Sequence, residues 1–262
     1  MSVSQQTGDR NGGPRKMVVT GASSGIGAAI ARTFAKLGWM VAIGARRMQR
    51  LEEVRREIEG AGGRAFVHGL DVTVPESIDA FFTATEAALG TVDVVVSNAG
   101  IGVPGLVHEL AVADIQREVA TNLLGPMLVV RRALPAMLAR RCGDLVFISS
   151  MNVVEPRPFQ VGYTASKAGV EAMAHALRMD LEGTGLRSII VRPGPTCSEF
   201  GSGWGGAMMM RVVESWNRWG FMRHHQFLDA ERVADAVVAA VTAPRGVSLD
   251  VIQVNPEGLR EE

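Results

Sequence analysis

Tyrosine occurs once in this chain of 262 residues, and cysteine twice. Cys142 and Cys197 exclude a disulfide framework and a cysteine-rich zinc centre. A single bridge between them is the alternative to two reduced thiols, and thiols kept reduced, as in the cytosol, are the simpler expectation. Charge of one sign is missing too: 27 Lys+Arg balance 27 Asp+Glu. That argues against a general nucleic-acid binder, which needs surplus positive charge to displace counterions from phosphates. A membrane-spanning helix takes about 18 or more consecutive apolar residues. The densest stretches, 123–130 and 236–241, are far shorter, so no membrane association is expected. Residues 1–15 are polar and glycine-containing, without the apolar segment of a secretory signal. They are expected to form a disordered tail.

What is present is a globular composition, 47% hydrophobic and 21% charged, enough for a large core. Short β-branched runs alternate with amphipathic segments. Strands are expected at 16–20, 40–44, 65–70, 92–97, 144–149, 187–192 and 249–254. Between them, apolar residues recur at helical spacing, as at Ile26, Ile30, Phe34 and Leu37. The long helical region 112–140 contains Pro126 and is expected to kink there. Strict β-α alternation with near-continuous Val/Ile strands predicts a doubly wound α/β fold. Its seven-stranded, mostly parallel sheet carries helices on both faces. Residues 16–262 read as a single Rossmann-type domain.

The first strand runs into Thr20-Gly21-Ala22-Ser23-Ser24-Gly25-Ile26-Gly27, which opens a helix. Gly21 permits a tight turn, Gly25 close approach of backbone to a phosphate, and Gly27 close packing of the helix on the sheet. The helix start then faces an anion with unpaired amides. A turn that merely uses small residues is the competing reading. The second strand ends in Gly44-Ala45-Arg46-Arg47, with no carboxylate to hold a ribose 2′-hydroxyl. This predicts NADP rather than NAD, unless both arginines are simply solvated helix-entry charges. Asp71, followed by Val72, ends the third strand; it either takes an adenine amino group or caps the next helix.

Tyr163 and Lys167 stand at i and i+4 on a predicted helix, on one face. A phenol titrates near 10, too high for a base at neutral pH. A neighbouring ammonium is expected to lower that value. Ser150 closes the fifth strand, thirteen positions earlier. In strand order 3-2-1-4-5-6, sites form outside the carboxyl ends of the strands. The glycine-rich loop, Asn98-Ala99-Gly100 and Ser150 then reach one crevice.

The glycine-rich loop, Asn98-Ala99-Gly100, Ser150 and Tyr163-Thr164-Ala165-Ser166-Lys167, in this order, resemble the short-chain dehydrogenase/reductase family. The resemblance covers 16–254. It implies hydride transfer between a nicotinamide and a carbonyl or alcohol carbon. Tyr163 would exchange the hydroxyl proton, and Ser150 would align the substrate oxygen. Lys167 would bind the nicotinamide ribose, and Asn122 would hold a water linking Lys167 to solvent. Pro193-Gly194 and Ser198 match the family's nicotinamide-end motif, with Ser198 where threonine is usual. Arg46 falls at the family's 2′-phosphate contact. A homodimer or homotetramer through the helices bearing Asn122 and Tyr163 is implied. A cofactor-sensing binding protein with little turnover is the rival from another class.

Residues 195–227 hold three of the four tryptophans and a run of methionines. They read as a flap over an apolar or aromatic carbonyl substrate, or as a subunit interface. His224-His225 lacks the partners of a metal site, and none is expected. Arg178, Asp180, Glu182 and Arg187 read as a solvated helix end.

Overall fold

The structure, a computed structural model, describes residues 13–221 and 226–258. Met222, the His224-His225 pair and residues 1–12 lie outside the described residues. The strands are β1 (Lys16–Thr20), β2 (Met40–Ala45), β3 (Arg64–Gly69), β4 (Val94–Ser97), β5 (Gly143–Ile148), β6 (Leu186–Pro193) and β7 (Val251–Val254). They pair in the order β3-β2-β1-β4-β5-β6-β7, every pair parallel. The crossovers are α1 (Gly25–Lys36), α2 (Met48–Gly60), α3 (Pro75–Leu89), α4 (Val112–Val119), α5 (Gly125–Arg140), α6 (Val161–Asp180) and α8 (Ala230–Thr242). Helix α7 (Gly206–Arg218) lies between β6 and α8.

The period-2 geometry of a strand divides each β-branched run between two cores. Met17 and Val19 join α1, α2 and α8 on one face, with Phe34, Leu51 and Val237. Val18 joins α3, α5 and α6 on the other, with Phe81, Val129 and Val170. The sheet is covered on both sides, so the strands carry no polar stripe.

Three local features depart from expectation. The irregularity placed at Pro126 is a π-helical turn over Ala120–Leu124, directly before it. Pro126 has no N–H for the carbonyl four residues back, and the widened turn accommodates that loss. Arg15, assigned to the tail, is docked: it pairs with Asp144 at 3.2 Å and covers the Trp39 ring at 4.2 Å. Arg187 is not solvated. It is buried and grips Asp144 through Nε at 2.7 Å and Nη2 at 3.0 Å. Arg245 adds a third guanidinium to this fully enclosed carboxylate at 3.2 Å.

Candidate active site

At the carboxyl end of β1, Gly21 turns with φ +66° and donates its N–H to Gly44 O at 2.8 Å. A Cβ on Gly21 would lie 2.6 Å from Ala99 Cα, and one on Gly27 would lie 2.5 Å from Asn98 Nδ2. Only glycine lets the loop after β1, the start of α1 and the 98–100 stretch pack this closely. Thr20 and Asn98 bind them together. Thr20 Oγ1 accepts the Asn98 and Ala99 amides at 3.0 and 3.1 Å. Asn98 Nδ2 donates to the Thr20 and Gly21 carbonyls. The Asn98 side chain therefore braces the cradle from behind. Ser24 makes no side-chain cap on α1, so the first-turn amides of Ile26 and Gly27 lack that partner. A Cβ on Gly25, at φ +53°, would lie 3.0 Å from Ser198 Cβ. This cradle, with arginines at its rim, fits a dinucleotide phosphate.

At that rim, Arg47 reaches Ser23 Oγ at 2.9 Å, Ser24 Oγ at 2.7 Å and Glu199 Oε2 at 2.7 Å. Sequence reasoning singled out Arg46, whose charge acts on Asp71. Burial raises the Asp71 pKa, but bonds from Thr73 and the Arg46 charge outweigh it, and the net shift is downward. The Asp71 carboxylate accepts the Thr73 N–H and hydroxyl, a turn-capping arrangement. Val72 packs in the core with its side chain.

Ser150, Tyr163 and Lys167 meet beside the cradle. Ser150 follows β5, and its Oγ accepts the Asn152 N–H at 3.1 Å. Lys167 Nζ donates to the Ile148 carbonyl at 2.7 Å and lies 5.8 Å from the Tyr163 ring centroid. Gly100 marks the convergence: its Cβ would lie 3.3 Å from Asn122 Oδ1 and 3.5 Å from Lys167 Nζ. The Asn122 amide pairs with both backbone groups of Ile101 at 2.8 Å and donates to Ser166 Oγ at 3.1 Å. Ser166 Oγ in turn donates to the Tyr163 carbonyl. Ser166 is a bracing residue that sequence reasoning missed, although its i+3 spacing from Tyr163 puts it on the same helix face. Pro193 ends β6, and Gly194 bonds back to Val254 O at 2.7 Å.

Desolvation pushes the Tyr163 phenol up to about 12, the hydrogen bond with Ser150 opposes this, and the Glu118 charge adds to it. Desolvation pushes Lys167 down to about 8. Burial thus moves both groups toward their neutral forms, opposite in direction to the lowering of the phenol that a neighbouring ammonium supplies.

The glycine- and tryptophan-rich segment folds over its own chain. Phe200 lies 4.9 Å from the Tyr163 ring, centroid to centroid. Trp204 Nε1 donates to Gly102 O at 2.9 Å, and Trp216 Nε1 to Pro158 O at 3.2 Å. Arg211 makes two bonds to the Glu109 carboxylate. Among the described residues no cluster of three potential metal ligands exists. Cys142 and Cys197 are free.

A parallel sheet in this order, with a phosphate cradle and a Ser-Tyr-Lys group at one edge, defines a dinucleotide-dependent oxidoreductase class. Comparison with known proteins gives the family. A short chain dehydrogenase family model matches residues 15–205. The chain is 34% identical over 239 residues to glycine betaine reductase ATRR of Emericella nidulans, covering 91% of this chain and 18% of that one. It is 30% identical to the uncharacterized oxidoreductase SERP2049 of Staphylococcus epidermidis, covering 91% of this chain and 96% of that one. Among solved structures, an actinorhodin polyketide ketoreductase variant with NADPH superposes with TM-score 0.83 at 30% identity, covering 92% of this chain and 95% of that one. The chain belongs to the short-chain dehydrogenase/reductase family, whose members are NAD(P)-dependent oxidoreductases. It spans under a fifth of the Emericella relative's length.

Proposed function

We propose that this chain transfers hydride between NADP(H) and a carbonyl/secondary-alcohol pair, in the cytoplasm, on an apolar substrate. The observation that carries the reading is the meeting of Ser150, Tyr163 and Lys167 next to Gly100 and the glycine cradle. NADP bound in a solved neighbour supports the cofactor, and so do two arginines and no carboxylate at the end of β2.

In this reading Gly21, Ser23, Ser24, Gly25, Ile26 and Gly27 hold the phosphates. Arg46, with Arg47 beside it, takes the 2′-phosphate. Asp71, Val72, Asn98, Ala99 and Gly100 line the adenosine and ribose, and Pro193, Gly194 and Ser198 the carboxamide end. Nicotinamide supplies or accepts the hydride when bound. Ser150 hydrogen-bonds the substrate oxygen, and Tyr163 gives that oxygen a proton on reduction. Tyr163 is protonated at neutral pH, the form that reduction requires, and burial moves its pKa further from neutrality. Oxidation needs the phenolate and gains with rising pH. Lys167 binds ribose hydroxyls, and Asn122 holds the water that links Lys167 to solvent. The described part of the 195–227 segment covers the substrate, with Phe200 and Trp204 inward.

A homodimer or homotetramer is part of the proposal. An apolar groove between α5 and α6, lined by Met127, Leu134, Met173 and Leu177, supports it. The decisive experiment follows NADPH consumption with a panel of ketones. Tyr163→Phe should lose about a hundredfold or more of turnover while NADPH still binds by fluorescence. Cofactor binding without turnover of any ketone would make the chain a sensor.

A further inference from the structure

Glu118 is fully enclosed on the last turn of α4, one helical turn before Asn122. Its Oε1 accepts the Val103 N–H at 3.0 Å. Its Oε2 is buried without a hydrogen-bond partner. That oxygen stands against Gly162, where an added Cβ would overlap it. Gly162 immediately precedes Tyr163. Two polar side chains one turn apart therefore hold the same strip of chain: Asn122 takes Ile101, and Glu118 takes Val103.

A packing role alone would be filled better by an apolar residue, because an enclosed carboxyl is costly to ionise. Among the described residues, the charges that act on it are Arg117 and Asp114. On its own helix Arg117 and Asp114 pair with each other at 2.7 Å. On α6 the group is Tyr163, whose phenol feels the Glu118 charge; Lys167 turns its Nζ to the Ile148 carbonyl. The strip 98–103 carries no titratable side chain. Burial raises the Glu118 pKa, Val103 N–H and Arg117 oppose this, and Asp114 adds to it.

We propose that Glu118 is a positioning residue for Tyr163: it holds the Val103 amide and packs its second oxygen against Gly162 at the start of α6, and its charge there affects how readily the phenol releases its proton. Neutral Glu118 leaves the phenol undisturbed. Ionised Glu118 sets a negative charge beside it and holds the proton on. The coupling is reciprocal, so a Tyr163 phenolate also discourages ionisation of Glu118. The functional consequence rests on Tyr163 being the acid–base group.

The single tyrosine makes the test direct. Tyrosinate absorbance in the near ultraviolet reports Tyr163 alone, with no substrate present. Glu118→Gln keeps an acceptor for Val103 and removes the charge. It should lower the Tyr163 midpoint by about half a pH unit or more and move the pH limb of alcohol oxidation the same way. Glu118→Ala should lower kcat, and Glu118→Gln should restore it. Should Glu118→Gln fail to fold, Glu118→Met makes the same spectroscopic comparison. Coincident tyrosinate midpoints in wild type and the neutral variant would overturn the proposal. The catalytic reading fails separately: an active Tyr163→Phe enzyme sinks it even if the midpoint shifts.

Discussion

The Phe200 ring packs on the Tyr163 ring at 4.9 Å with a 51° tilt, and its far edge fills the space that a side chain on Gly102 would occupy. The covering segment thus delivers an apolar wall to the phenol itself. An aromatic pair contributes about 0.5–1.5 kcal/mol beyond its buried area. Phe200→Ala should lower kcat/KM for aryl ketones about tenfold and leave small aliphatic ketones within about twofold. Steady-state kinetics on both classes checks this; equal losses for both would assign Phe200 a structural role only.

Arg47 bridges the glycine-rich loop and Glu199, so its charge is partly spent within the protein. Glu199→Gln should free it and tighten NADPH binding a few-fold at low salt, the gain shrinking as salt rises. Arg46→Asp should shift preference toward NADH. Fluorescence titration with both cofactors reads each effect, and an unchanged NADPH/NADH ratio clears Arg46.

Asp144 holds three guanidiniums with none of its own surface exposed. Asp144→Asn leaves buried Arg187 without its countercharge. A loss of about 3–5 kcal/mol is expected, as for a broken buried pair. Urea unfolding measures it. A loss under about 1 kcal/mol would make the cluster behave like a surface pair.

Lys167 has a folded pKa of about 8, below its ordinary value. Between that value and the ordinary lysine value of about 10.4, the unfolded chain binds more protons, so stability rises with pH across the window. At neutral pH the buried ammonium is a cost. Lys167→Met should therefore stabilise the chain near neutrality by about 2 kcal/mol and flatten that window. Melting curves across the window test both parts; an unaltered slope would place the titration elsewhere.

Much of the architecture was legible along the chain. Buried parallel strands need uninterrupted Val and Ile, and helices packed on one face need apolar residues every three or four positions. These local requirements repeat through 16–254 and fix the parallel sheet. The glycine cradle and the Tyr163–Lys167 pair were legible because their geometry is short-range: a turn, a helix start, one helical turn. Arg187 was misread because an arginine after a helix looks alike whether it meets water or a carboxylate 43 positions away in sequence. Phe200 and Glu118 gave no signal, and the contact of Arg47 with Glu199 was not legible, since each owes its place to a neighbour distant in sequence.

By itself the sequence determined the order of elements, the side of the sheet where the loops gather and the chemical groups brought there, because periodicity and turn chemistry act over a few residues. Only the tertiary structure decided the environment of each group. Burial raises the Tyr163 pKa, Asp144 becomes an arginine hub, and Glu118 lies enclosed beneath Gly162. Desolvation and long-range contact depend on what the rest of the chain lays over a residue.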